Sequence, residues 1–262
     1  MFANKVALVS GSGRGIGAAI AIHLASLGAD VVVNFFRNRQ PAEETAEQIR
    51  HLGRKALLVK ANMGELDQVA QLFEQVDQEF GGLDYFIHNA ASGYNRPALQ
   101  QKPRGWDWTM NINARSYLFA AQRAVPLMEK RGGGAIVAIS SPGASRVLPE
   151  YVLVGASKAA IEAITRYLAV ELSPKNIVVN AISPGMVLTE ALQYFDMVRS
   201  DVRLAEKTAS ITPAGRLVTP QDIANLVAFL CSPQASMIRG QVIAIDGGAS
   251  VIAPGIGLYT DI

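Results

Sequence analysis

The sequence has one cysteine, Cys231, among its 262 residues, so it holds no internal disulfide and no cysteine metal cluster. Its three histidines, His23, His51 and His88, are widely separated and form no metal-ligand pair at helical spacing. No metal site is expected. No stretch approaches the roughly 18 consecutive apolar residues of a membrane span. The apolar run Val6–Val9 is too short for a secretory signal and gives way to Ser10 and Gly11. A soluble cytoplasmic protein is the expectation. Neither sign of charge dominates: 24 Lys and Arg oppose 22 Asp and Glu, for a net charge of +2. That balance argues against nucleic acid as the main ligand.

What is present is a large apolar fraction. Half the residues are hydrophobic and 18% are charged, enough for a sizeable core and against disorder. The 23 glycines follow no collagen-like period, so they mark turns and ligand loops. The length suits one large α/β domain, or two small ones at most.

Apolar runs alternate with helical patterns along the whole chain. Strands are expected at Lys5–Ser10, Asp30–Asn34, Lys55–Lys60, Asp84–His88, Ala135–Ser140, Ile177–Ile182 and Val242–Asp246. Helices are expected at Ile16–Leu27, from Pro41 to Gly53, and at Leu66–Phe80, Trp106–Lys130, Val152–Leu172 and Asp222–Leu230. The strands are β-branched runs without polar alternation, as in parallel strands covered on both faces. Strand–helix alternation with short links predicts right-handed crossovers and a doubly wound Rossmann sheet of about seven parallel strands in a single domain. The least periodic stretch, 188–217, is expected to be a mobile substrate loop or lid.

Between the first strand and first helix stands SGSGRGIG, Ser10–Gly17. Gly11, Gly15 and Gly17 are spaced GxxxGxG, with Ser12, Gly13, Arg14 and Ile16 between them. Glycine permits a tight turn and lets backbone N–H groups approach a pyrophosphate at the helix N-terminus. The plainer alternative is a structural glycine turn. The end of the second strand separates the two nicotinamide cofactors. A site for NAD places a carboxylate there for the ribose 2′-hydroxyl. Asn34, Phe35 and Phe36 supply none, and Arg37 and Arg39 follow. Arg14 is in reach of the same 2′-phosphate, and guanidinium groups suit a phosphate dianion. NADPH is therefore the expected cofactor, against the alternative of ordinary solvated arginines. Asn62-Met63 and Asn89 close the third and fourth strands at the edge where ligands bind. Asn89 has a second reading, as a stitch between two loops.

Taken together, the glycine loop, HNAA at 88–91, Asn113 in NINARSYLF, the AISS strand end, GASKAAIEAITRYLAVEL, NAISPG and the closing IDGG resemble the short-chain dehydrogenase/reductases over nearly the full length. One departure is informative. Most of that family carries Tyr-x3-Lys, but four residues before Lys158 stands Val154. The upstream tyrosine is Tyr151, giving Tyr-x6-Lys, the spacing of enoyl-acyl-carrier-protein reductases. Among these the chain is similar to the NADPH-dependent FabL type (enoyl reductase III), through KANMG, HNAASG, WDWTMNINA, LPEYVLVGASKAAIEAITRYLAVELSPK and TPAGR. It differs from the FabI type, which has a second tyrosine ten residues before the catalytic one, where this chain has Ser141.

Steps of four and of seven residues return to nearly the same helix face, so Tyr151 still looks towards Lys158, up to about 4.5 Å further along the axis. Enoyl reduction puts hydride on C3, two carbons from the carbonyl carbon, so a group serving the carbonyl oxygen must stand further from the hydride source. The resemblance implies that Tyr151 hydrogen-bonds the enolate oxygen, that Lys158 grips the nicotinamide ribose and favours negative charge, and that Asn113 supports the lysine through water. It implies a substrate-orienting role for Ser141 and places Thr189 near the pyrophosphate and carboxamide. It also implies a homotetramer.

Arg199, Arg203 and Lys207, spaced by four, would form a basic stripe if helical, suited to docking an acidic acyl carrier protein. A solvated charged face is the alternative. The function expected is reduction of the C2=C3 bond of trans-2-enoyl-acyl-carrier-protein thioesters, the last reductive step of fatty acid elongation. A carbonyl, ketoacyl or steroid reductase of the same architecture is the first alternative. A non-catalytic NADPH-binding sensor is the second.

Overall fold

The computed structural model describes residues 2–187 and 204–252. Thr189, Arg199, Arg203, most of the expected 188–217 loop and the C-terminal residues from 253 lie outside the described residues.

Seven parallel strands form one sheet in the order β3-β2-β1-β4-β5-β6-β7. They are β1 Val6–Val9, β2 Asp30–Phe35, β3 Ala56–Lys60, β4 Tyr85–His88, β5 Gly134–Ile139, β6 Ile177–Pro184 and β7 Val242–Ile245. Every residue of β1 and β4 is buried, because helices cover both faces of the sheet. The residues of β1 divide by alternation. Ala7 and Val9 join Val31 and Val33 in one core, while Val6 and Leu8 join Val32 in the other.

The first core is closed by helices α1 (Gly15–Ser26) and α2 (Arg39–His51), and by the later helix Pro220–Leu230. The second is closed by α3 (Leu66–Phe80), by Ser116–Glu129 and by Val152–Glu171. Helix α3 follows its expected bounds, burying Val69, Leu72, Phe73 and Val76 at helical spacing. No helix among the described residues is long and apolar enough to cross a membrane.

Two expected helix bounds are corrected. The single helix expected at Trp106–Lys130 starts earlier, at Pro103, and is interrupted. It consists of α4 (Pro103–Met110), a π-helical turn at Asn111–Arg115 and α5 (Ser116–Glu129). A π turn takes in one extra residue, which hydrophobic spacing does not reveal. Within the stretch expected to be a substrate loop or lid, α7 spans Leu204–Ile211, after α6 at Val152–Glu171 and before α8 at Pro220–Leu230. Helix α8 begins two residues before its expected start, because Thr219 and Asp222 form a reciprocal capping box with Pro220 at the first helical position.

The strand order reverses between β1 and β4. Ligands of doubly wound sheets bind in the crevice beyond the carboxyl ends of the strands at such a switch point. Buried polar side chains gather at that edge, among them Ser10, Ser12, Asn34, His88, Asn113, Ser140 and Lys158.

Candidate active site

The glycine loop leaves β1 beside two neighbouring strand ends. Gly11 has φ +64°, and a Cβ there would lie 2.9 Å from Ala90 Cα. A Cβ on Gly17 would lie 2.4 Å from Gly11 O and 2.6 Å from Asn89 Nδ2, so the loop closes over α1 only with glycine at that position. Asn34 buttresses the turn: its Oδ1 accepts from Gly11 N at 3.0 Å and its carbonyl accepts from Ser12 N at 2.9 Å. The Ser12 side chain is consumed by the fold, donating to Val9 O at 2.7 Å and accepting from Asn34 N at 3.1 Å.

The Asn89 side chain joins its loop to the glycine loop. Its Nδ2 donates to Ser10 O and Gly11 O, each at 3.0 Å. Asn62 turns its own loop, accepting from Gly64 N at 3.0 Å, and Met63 is buried beside it. Helix α1 starts at Gly15 behind Arg14, whose side chain makes no cap hydrogen bond. Its first N–H groups and positive dipole end face the crevice side of the loop. A glycine cradle on a helix start fits a dinucleotide pyrophosphate. The residues after β2 come next to this loop. Asn34 and Phe35 are buried, and Phe36 and Arg37 are the first exposed positions.

The catalytic candidates come together on the other side of the switch point. Ser141 follows β5 and Tyr151 stands immediately before α6. The Tyr151 hydroxyl donates to Ser141 Oγ at 3.3 Å. Burial pushes the phenol up from its ordinary value, and the Ser141 hydrogen bond opposes that shift. Gly143 and Gly155 leave room for the ring and its turn; a Cβ on Gly143 would meet Tyr151 Cδ1 at 2.5 Å. Val154 does not take the tyrosine's place. It is buried, and its Cγ2 lies where a Cβ on Gly93 would approach to 2.3 Å.

Lys158 is buried on α6, with its Nζ donating to Ile139 O at 2.7 Å. Burial pushes its ammonium down to about 8. Asn113 sits on the π turn with its side chain fully engaged. Its Oδ1 accepts from Ser92 N at 2.8 Å, and its Nδ2 donates to Ser92 O at 2.9 Å and Ser157 Oγ at 2.8 Å. Asn113 thus ties the loop after β4 to α6, the helix carrying Lys158.

Sequence reasoning assigned no role to His88, Ser92, Ser157 or Trp108. His88 is buried, stacks on Tyr117 at 5.0 Å and lies 2.8 Å from Asn113 O through Nε2. Burial, with the Lys158 charge second, pushes the imidazole down to about 3. The ring is therefore neutral, and the carbonyl partner assigns the proton to Nε2. Its signal in the sequence was a histidine ending an otherwise apolar strand. Nothing local marks Ser92 or Ser157 as partners of Asn113. Lys207 is exposed on α7.

A protein-family model described as "Enoyl-(Acyl carrier protein) reductase" matches residues 11–250. A hydroxynaphthalene reductase-like protein of Metarhizium guizhouense is 39% identical over 256 residues, covering 94% of this chain and 95% of that protein. The 1-cyclohexenylcarbonyl-CoA reductase of Streptomyces collinus is 38% identical over 251 residues, covering 96% and 89%. Among solved structures, a 7α-hydroxysteroid dehydrogenase complexed with NADH and 7-oxo glycochenodeoxycholic acid matches with a TM-score of 0.87 at 33% identity over 94% of each chain. A short-chain dehydrogenase of Burkholderia cenocepacia in complex with NADP matches with a TM-score of 0.87 at 33% identity, covering 95% of this chain and 99% of that one. Fold, strand-end chemistry and relatedness over nearly the full length agree: the chain belongs to the short-chain dehydrogenase/reductase superfamily of oxidoreductases.

Proposed function

We propose that the protein reduces the C2=C3 double bond of trans-2-enoyl thioesters carried on acyl carrier protein, with NADPH as reductant, as the FabL-type enoyl reductases do. The observation that carries this reading is the position of the phenol. Tyr151, seven residues before Lys158, meets Ser141, while buried Val154 fills the position four before the lysine. A Streptomyces collinus relative named for a 1-cyclohexenylcarbonyl thioester of coenzyme A supports a conjugated thioester as substrate. The absence of an acid at Phe36, followed by Arg37, supports NADPH over NADH, as does the NADP complex of the Burkholderia relative.

When bound, NADPH supplies the hydride that adds at C3. Tyr151 donates its hydroxyl hydrogen bond to the thioester oxygen, where enolate charge develops. For this the phenol's single proton turns from Ser141 to that oxygen, and the Ser141 hydroxyl donates to the phenol oxygen in its place. Lys158, charged below about pH 8, favours the developing negative charge and binds ribose hydroxyls. Asn113 fixes the spacing between the loop after β4 and α6. Protonation at C2 completes the saturated acyl product. As partners we propose acyl carrier protein, docked through a basic stripe of Arg199, Arg203 and Lys207, and identical subunits forming a homotetramer in the cytoplasm.

The second reading is a carbonyl, ketoacyl or steroid reductase. It is favoured by the hydroxynaphthalene reductase-like and hydroxysteroid dehydrogenase relatives. One assay separates the two. NADPH oxidation is followed with crotonyl and with acetoacetyl thioester. Turnover of crotonyl thioester supports the enoyl reading, and turnover of acetoacetyl thioester alone overturns it.

A further inference from the structure

Arg37 leaves β2 next to the glycine loop, which Asn34 ties to the end of that strand. Its guanidinium carbon lies 5.7 Å from the ring centroid of Phe36 and 5.9 Å from that of Trp108. Phe36 is its chain neighbour, but Trp108 comes from α4, far along the chain. A cation held on aromatic faces keeps the edge of its guanidinium, which carries the N–H donors, for an anion. A carboxylate partner would instead occupy that edge. An exposed arginine otherwise loses side-chain freedom on gripping a phosphate. A ring that already confines it lowers that cost.

Trp108 is itself fixed. Its indole Nε1 donates to Ser92 Oγ at 2.9 Å. The Ser92 backbone is held at both its N–H and its carbonyl by the Asn113 side chain. A continuous set of contacts therefore runs from Asn113 through Ser92 and Trp108 to Arg37.

We propose that Trp108 is a specificity-determining positioning residue, holding Arg37 with its donor edge available to the ribose 2′-phosphate, and that Ser92 sets the position of the indole. The proposal rests on the NADPH reading above. The test is calorimetric binding of adenosine 2′,5′-bisphosphate and of 5′-AMP, which lacks the 2′-phosphate. Wild type, Trp108→Leu, Trp108→Phe, Ser92→Ala and Arg37→Ala are compared.

Trp108→Leu should weaken the bisphosphate about threefold to tenfold and leave 5′-AMP unchanged. Trp108→Phe should keep most of the affinity. Ser92→Ala should weaken the bisphosphate alone, by about twofold to threefold, and it serves as the test if Trp108→Leu does not fold. In the Arg37→Ala background, Trp108→Leu should have no further effect. Equal weakening of both nucleotides would overturn the proposal, because it marks either direct stacking on adenine or general damage. So would an unchanged bisphosphate affinity in Trp108→Leu and Ser92→Ala. A wild type that binds both nucleotides equally would instead bring down the NADPH reading, and this proposal with it.

Discussion

The hydroxyl of Tyr151 lies 3.3 Å from Ser141 Oγ, joining the start of α6 to the end of β5. The pair stands ten residues apart in the sequence and closes the turn between strand and helix. Tyr151→Phe removes the hydroxyl and leaves the ring packed against Gly143. It should lower kcat for crotonyl thioester at least about a hundredfold and leave nucleotide affinity unchanged. Ser141→Ala should cost less, because the phenol survives without its orienting partner. Steady-state kinetics and nucleotide titration measure both. Full activity in Tyr151→Phe would remove Tyr151 from the chemistry.

Lys158 carries a pH dependence. With its ammonium pushed down to about 8 by burial, kcat/KM should fall as pH rises through that value. The folded chain releases this proton near pH 8, and the unfolded chain only near 10.5. The cost of burying the cation is therefore present below pH 8 and disappears as pH rises towards 10.5, so the group's contribution to stability rises with pH across that window. Between pH 7.5 and 10, wild type should gain roughly 2–3 kcal/mol relative to Lys158→Met, read by urea unfolding at each pH. A parallel pH dependence in the two proteins would contradict a depressed lysine.

Asn113 is predicted to matter for stability as well as rate. Asn113→Ala strips the Ser92 N–H and carbonyl of their side-chain partner and removes the bond to Ser157. Leaving such groups unpaired should cost about 3 kcal/mol. Urea denaturation measures the loss, and an unchanged midpoint would show that water replaces the amide.

Carrier-protein docking is open to a charge-reversal experiment. Replacing Arg203 and Lys207 by Glu should raise KM several-fold for the acyl-carrier-protein substrate and leave KM for the coenzyme A thioester unchanged. Equal effects on the two substrates would remove the docking surface.

The strands were legible because a parallel strand buried on both faces is an unbroken apolar run. β1 and β4 read directly from VALV and YFIH. The glycine loop was equally legible, since its chemistry is local: a strand, a turn at Gly11, and a helix start that tolerates no side chain at Gly17. The π turn at Asn111–Arg115 was not, because one inserted residue leaves hydrophobic spacing nearly intact. For Asn89, only the tertiary structure shows that its side chain donates to the Ser10 and Gly11 carbonyls.

By itself, then, the sequence determined the alternation of elements, the nucleotide loop and the displaced tyrosine, because each follows from neighbours in the chain. The tertiary structure alone decided which side chains meet. Asn113 with Ser92 and Ser157, His88 with the Asn113 carbonyl, and Arg37 with Trp108 are contacts between elements far apart in sequence. The physical reason is burial. Once the sheet and its helices exclude water, each polar group at the strand ends must find its partner inside the fold, and chain order does not say which partner that is.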